Sequence, residues 1–231
     1  MGPIRLRDVT SDDISVSSRY GDIRLDGLID GAVNIETGGE GEIFANCKGI
    51  YGESFIATAD NGDIHMDTEC RSDELYLATN DGNITAKELL CSSVSLHVNE
   101  KGDINAKVNG GKLEVSVNKG SVNLSLDNLA LESSIAVHSG DVNLRIPLKT
   151  PFKLRLSAPM TNVEPKLQNS GEFCLSKDSG NEVFSTEGAS RNGHAPILSV
   201  VVQNGSINVA VREDDVDKSL GYDSVTENLI K

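Results

Sequence analysis

Tryptophan is absent from this 231-residue chain, and five Phe and four Tyr are its only other large aromatic residues. The stacking platforms on which single-stranded nucleic acids and sugar rings rest are therefore scarce. Basic charge is short as well: 21 Lys and Arg stand against 35 Asp and Glu, for a formal net charge of −14. A field of that sign repels phosphate backbones and anionic lipid, so no nucleic-acid partner is expected. Long apolar runs are missing too. No stretch approaches the roughly 18 to 20 residues of a membrane span, so no membrane insertion is expected. The opening MGPIRLRDVTSDD lacks the apolar core of a signal peptide. The expected location is intracellular and cytoplasmic, and a mitochondrial destination would need targeting residues upstream.

Cysteine is sparse and unpatterned. Cys47, Cys70, Cys91 and Cys174 form no CxxC and have no His companion at zinc-finger spacing, which points to free thiols in a reducing compartment. Cys70 falls near the corner position held by Leu28, Ile50, Leu90 and Leu129 in other units and reads as a small buried hydrophobe. Catalytic signatures are equally thin. There is no GxSxG phrase, and His65, His97, His138 and His194 fall in outward or edge positions with no paired motif. No catalytic, cofactor-binding or metal-binding residue is assigned, no cofactor is implied, and the chain reads as non-enzymatic.

What the sequence does contain is a repeat. The phrases NGDIHMD, DGNITAK, KGDINAK and KGSVNLS share one template: glycine, a small or acidic residue, a β-branched residue, a variable one and an apolar one. Its glycines are Gly2, Gly21, Gly41, Gly62, Gly82, Gly102, Gly120, Gly140 and Gly205, at intervals of 19, 20, 21, 20, 20, 18 and 20 residues and then one of 65. This is a repeat protein with one long interruption.

Inside each unit the periodicity is two. Ile64 and Met66, Ile104 and Ala106, and Val142 and Leu144 alternate with polar neighbours, as do Leu75 and Leu77, Val94 and Leu96, and Leu113 and Val115 ahead of the next glycine. Each unit thus supplies two strands and two turns, with the glycines expected at positive φ. Equivalent strands one period apart bury their apolar positions most continuously when coils stack in parallel. The expected fold is all-β: a single-domain parallel β-solenoid, or β-helix, of about 20-residue coils, right-handed by the crossover rule. The 38% apolar content is enough to fill such a core.

Stacking turns sequence positions into ladders. One outward row holds Asp22, Glu42, Asp63, Asn83, Asp103, Ser121, Asp141 and Ser206; beside it run Arg24, Phe44, His65, Thr85, Asn105, Asn123, Asn143 and Asn208. Carboxylates and amides about 4.8 Å apart offer oxygens to a hard cation such as calcium, or brace turns through backbone N–H groups. Calcium-binding solenoids repeat every nine residues with glycine pairs, a pattern missing here, so bracing is the expected role. Asn-x-Ser/Thr triplets at Asn83, Asn123 and Asn204 arise from the repeat phrase itself.

GDVNLRIPLKTPFKLRLS, residues 140–157, and APILSVVVQNGSINVAV, residues 195–211, resemble the closing segments of the adhesin family of unknown function, whose glycine-led β-solenoid repeats match this chain from Gly2 to Val211. The resemblance implies a β-solenoid without shared catalytic residues. The cysteine usage and the opening sequence fit its eukaryotic, intracellular-type members.

The chain divides into regular coils at 1–146, degenerate coils with a long loop at 147–196, a final coil at 197–211 and an acidic tail at 212–231. The interruption carries most of the six prolines, and its loop is expected between Lys177 and His194. The expected function is a scaffold or protein-interaction domain, adhesin-like, whose partner is an unknown protein or a second copy docking at a solenoid end. The alternatives are a carbohydrate- or calcium-binding β-helix and a polysaccharide-acting enzyme, although the tight coils leave little room for the long loops that wall such grooves.

Overall fold

The computed structural model describes residues 2–147, 152–168, 173–178, 181–186 and 195–212. The glycine-led strands stack in parallel, one per coil, and their first apolar residues form a continuous inward ladder: Ile4, Ile23, Ile43, Ile64, Ile84, Ile104, Val122, Val142, Ile207 and finally Thr161. A second ladder on the facing wall runs Ile35, Ala57, Leu77, Leu96, Val115, Ile135, Val200 and Leu156. Both are buried from Ile23 and Ile35 onward, apart from the closing Thr161, a buried polar residue. The core is thus a two-walled stack of Ile, Val and Leu, each residue packed on its equivalent in the next coil. This is the parallel β-solenoid expected from the period of two.

The early coils run through their corner as single long strands, as in Ile43–Ala59 and Ile64–Asp81, whereas later coils break into pairs such as Ile104–Val108 with Lys112–Lys119. Bulges set the corner register. A shift between Gly27 and Leu28 places Ile29, not Leu28, opposite Ile50, and the ladder continues to Cys70, Leu89 and Val108. Leu28 is 40% exposed, so the corner row named from sequence is corrected by one residue at Leu28 and at Leu90, and at Leu129, whose place Leu126 takes opposite Val108. Cys70 is fully buried in it, as expected.

Two physical reasons make glycine lead each coil. Gly102, Gly120, Gly140 and Gly205 have φ between 143° and 151°, where side chains are strained. Gly41, Gly62 and Gly82 lack the positive φ expected of them but need the space: a Cβ on Gly62 would lie 2.1 Å from the carbonyl oxygen of Gly41. The glycines form a ladder of their own, each pressed against the carbonyl of its predecessor. Gly205 belongs directly after Gly140, since a Cβ on it would meet the Gly140 oxygen at 1.9 Å.

That contact reveals a stacking order different from the chain order. Ile197–Asn204 pairs in parallel with Ser133–Ser139 on one side and with Lys153–Ala158 on the other. Ser206–Val211 likewise lies between Val142–Ile146 and Met160–Val163. The last coil in sequence is therefore the penultimate coil in space, and the chain builds the terminal coil first and then returns to fill the gap. Proline explains the assignment. Gly120 N–H donates to Ser139 O and Gly140 N–H to Asn204 O, each time to the coil that follows. In the coil of Met160–Val163 the glycine slot holds Pro159, which has no N–H to donate and loses no such bond at the end of the stack.

Beyond the terminal coil the chain forms an antiparallel hairpin, Phe173–Asp178 with Asn181–Thr186, whose second strand pairs antiparallel to Lys153–Ala158. The loop expected from Lys177 is corrected to a strand at 181–186, and the remainder of that loop, like the acidic tail beyond residue 212, lies outside the described residues. A short helical turn, Pro165–Gln168, packs against Ser206–Val211 and buries Leu167. No helix of the described residues is long and apolar enough to cross a membrane.

Candidate functional site

The two ends of the solenoid differ in chemistry. At the far end the hairpin occupies the outer edge of Lys153–Ala158, and Glu164 accepts a hydrogen bond from the N–H of Val211 at 2.7 Å. At the near end Ile4–Ser18 pairs with Ile23–Thr37; among the described residues no strand takes its other edge. Its inward residues Ile4, Leu6, Val9 and Val16 pack on the core but are only half-buried. Ile4 N–H donates to Asp22 O at 2.8 Å, so the N–H groups of Arg5 and Arg7 face the free edge. A bulge at Asp8, with φ of 51°, breaks the rung at its corner, and Asp8 Oδ1 accepts from Leu28 N–H at 3.0 Å. Arg5 pairs with Asp26 and holds that carboxyl below its ordinary range.

The outward rows are satisfied internally. Asp63 Oδ1 accepts from Asn83 N–H at 2.7 Å, Asn83 Oδ1 from Asp103 N–H at 2.9 Å and Asp103 Oδ1 from Ser121 N–H at 2.7 Å. With Asp22 accepting from Glu42 N–H and Asp141 from Ser206 N–H, the row ties most coils to the next through the backbone. Beside it, Asn105, Asn123, Asn143, Asn208 and Asn162 form an amide ladder whose nitrogens each donate to the preceding oxygen at 2.8 to 2.9 Å. The groove above this ladder is open to solvent. Towards the near end the same row carries Arg24 over the Phe44 ring, 4.8 Å from its centroid, and Phe44 stacked on His65 at 5.2 Å.

A family model described as Toastrack DUF4097 matches residues 4–210. The chain belongs to the Toastrack DUF4097 family. Comparison with curated proteins and with solved structures finds no match.

The histidines of this Toastrack domain do not converge. His65 lies 3.7 Å from Asp63, His138 Nδ1 is 2.7 Å from Gln203 Oε1, and His97 packs on Tyr76 at 5.2 Å, where burial lowers its pKa. His194 lies outside the described residues. Among the described residues no group of three or more His, Cys, Asp or Glu is arranged to hold a metal ion. The amide nitrogens of Asn83, Asn123 and Asn204 all donate to a neighbouring coil. Cysteine is where the Toastrack fold assembles what the sequence keeps apart: Cys70 and Cys91 are neighbours, with sulfurs 4.0 Å apart. Sequence reasoning expected an open edge at the first coil but missed the hairpin that covers the far end.

Proposed function

We propose that this chain is a non-enzymatic interaction scaffold, adhesin-like in that it binds through its repeat architecture, and that it docks through the free edge of its first coil. The observation that carries the reading is the difference between the ends. One end is covered by a hairpin of the same chain, while the other offers edge amides that no strand of the described residues pairs, above half-buried Ile4, Leu6, Val9 and Val16. Exposed edges of this kind pair with strands of another chain. The outward rows, by contrast, spend their polar atoms on bonds between coils, which supports a structural rather than a catalytic role for them.

The occupant we propose is a second copy of the chain, approaching head to head. The first coil carries Arg7 before its corner and Asp12 and Asp13 after it. A two-fold approach reverses one coil on the other and sets the basic limb of each copy towards the acidic limb of its partner, as an isologous contact requires. Light scattering over a concentration series tests this. The wild type should pass from monomer to dimer, and Leu6→Lys should shift the transition to at least about tenfold higher concentration, a change worth about 1.4 kcal/mol. Monomer at every concentration would overturn self-association, and an oligomer unchanged by Leu6→Lys would overturn the assignment of the edge.

A further inference from the structure

Cys70 and Cys91 sit in consecutive coils at one corner. Cys70 occupies the buried corner ladder between Ile50 and Leu89, and Cys91 follows Leu89 by two residues in the turn that leads to Ser93–Lys101. Two bonds between coils bracket Cys91: Leu90 N–H donates to Cys70 O at 2.9 Å and Ser92 N–H to Ser72 O at 3.3 Å. The sulfurs lie 4.0 Å apart, and Cys91 Sγ is 3.5 Å from Cys70 O. Ser72 Oγ reaches both, 3.4 Å from Cys91 Sγ and 3.8 Å from Cys70 Sγ. Cys91 lies two residues beyond Leu89, the register partner of Cys70, so it is the 4.0 Å between the sulfurs, not the spacing of the coils, that brings the pair within reach.

We infer that Cys70 and Cys91 form an oxidisable dithiol, which a hydroperoxide converts into a disulfide between the two coils. Cys91 is the attacking sulfur. The hydrogen bond between the two thiols, helped by the Ser72 hydroxyl against the opposing effect of burial, draws its pKa down. The same hydrogen bond, with burial, drives Cys70 upward and keeps it protonated. In the first step Cys91 Sγ attacks one peroxide oxygen; an S–O bond forms, the O–O bond breaks, and the departing hydroxide or alkoxide takes a proton. In the second step Cys70 Sγ attacks Cys91 Sγ; the S–S bond forms, the S–O bond breaks, and the hydroxyl leaves as water with the Cys70 proton. Two thiols are oxidised by two electrons, and one peroxide is reduced to two waters, or to water and an alcohol.

The product encloses one full coil in a covalent loop near the middle of the regular stack. It would clasp the coils at a corner where the backbone register shifts between Met66 and Glu69 and between Ala86 and Leu89. The inference rests on geometry independent of the free edge, so it stands or falls apart from the proposed docking.

The test treats the full chain with hydrogen peroxide and then maps its peptides without reduction. The expected result is the loss of two thiols, a mass decrease of about 2 Da, a peptide pair joining Cys70 to Cys91, and a midpoint raised by roughly 5 to 10 °C that dithiothreitol reverses. Cys70→Ser should instead stop at over-oxidised Cys91, and a Cys47→Ser Cys174→Ser double variant should behave as the wild type. Stable sulfinic acid at Cys91 in the wild type, a cross-link through Cys47 or Cys174, or thiols that resist a peroxide dose sufficient for the urea-unfolded chain would each overturn it.

Discussion

Asp141 Oδ1 accepts two hydrogen bonds from Ser206, one from its N–H and one from its Oγ, each at 2.8 Å. The two residues are 65 positions apart, yet they stand in the same relation as Asp103 to Ser121 in consecutive coils. The intervening segment has been set aside to close the far end, and the repeat resumes as though it were absent. The covered far end follows from this topological choice.

The glycine ladder makes the first prediction. Gly205→Ala would put a methyl group 1.9 Å from the Gly140 oxygen at φ of 151° and should cost at least about 3 kcal/mol in urea unfolding. Gly2→Ala has nothing within 4 Å and should be silent. Equal effects would show that the glycines serve turns alone and not the contact between coils.

Much of this architecture was legible in the sequence. Alternation at Ile104 and Ala106 fixes which residues face inward, and the 20-residue glycine spacing fixes the coil. Stacking order was not legible from spacing, because proximity in sequence is normally a fair guide to proximity in space. Pro159 held the clue, since a residue without an N–H cannot occupy the glycine slot of a coil that must donate onward. The corner row slipped at Leu28 because a bulge moves the register by one residue without leaving a pattern in residue type. Cys91 escaped attention for a similar reason: it sits two residues beyond the ladder position and meets Cys70 only through the side-chain directions of the turn. The covering of the far end had no sequence signature of its own, since it depends on an antiparallel hairpin that pairs with Lys153–Ala158.

Register within a coil gives a second test. Ile104 is fully buried between Ile84 and Val122, and Ile104→Asp should cost at least about 4 kcal/mol through an unpaired buried carboxylate. Asn105 points outward and its Oδ1 accepts from Asn123; Asn105→Asp keeps that acceptor and should change stability by less than about 1 kcal/mol. Comparable losses in thermal unfolding would contradict the register.

In the acidic row, acceptance rather than charge is the working property. Asp63→Asn with Asp103→Asn retains acceptors for the N–H groups of Asn83 and Ser121 and should leave stability within about 1 kcal/mol. Asp63→Ala with Asp103→Ala should lose about 2 to 4 kcal/mol. A calcium-dependent rise in midpoint that disappears in the Asn variant would mean that the carboxylates bind a cation instead.

His97 gives the chain a modest acid sensitivity. Burial lowers its folded pKa relative to an unfolded value of about 6.5, so the folded state binds fewer protons and stability falls as pH drops below that value. His97→Gln should flatten the decline between about pH 7 and pH 5 in chemical denaturation, while leaving stability above pH 7 nearly unchanged. A decline equally steep in the variant would assign it to other groups.

The central claim is that the free edge of Ile4–Ser18 is a docking surface, and residue-resolved amide hydrogen exchange at two protein concentrations tests it most directly. The Arg5 and Arg7 amides face that edge, whereas the Ile4 amide is bonded to Asp22 O. The account predicts that Arg5 and Arg7 exchange rapidly in dilute solution and become protected by at least about tenfold in concentrated solution, with Ile4 little changed. Arg5 and Arg7 amides that stay unprotected at high concentration, or that are already protected in dilute solution, would contradict it.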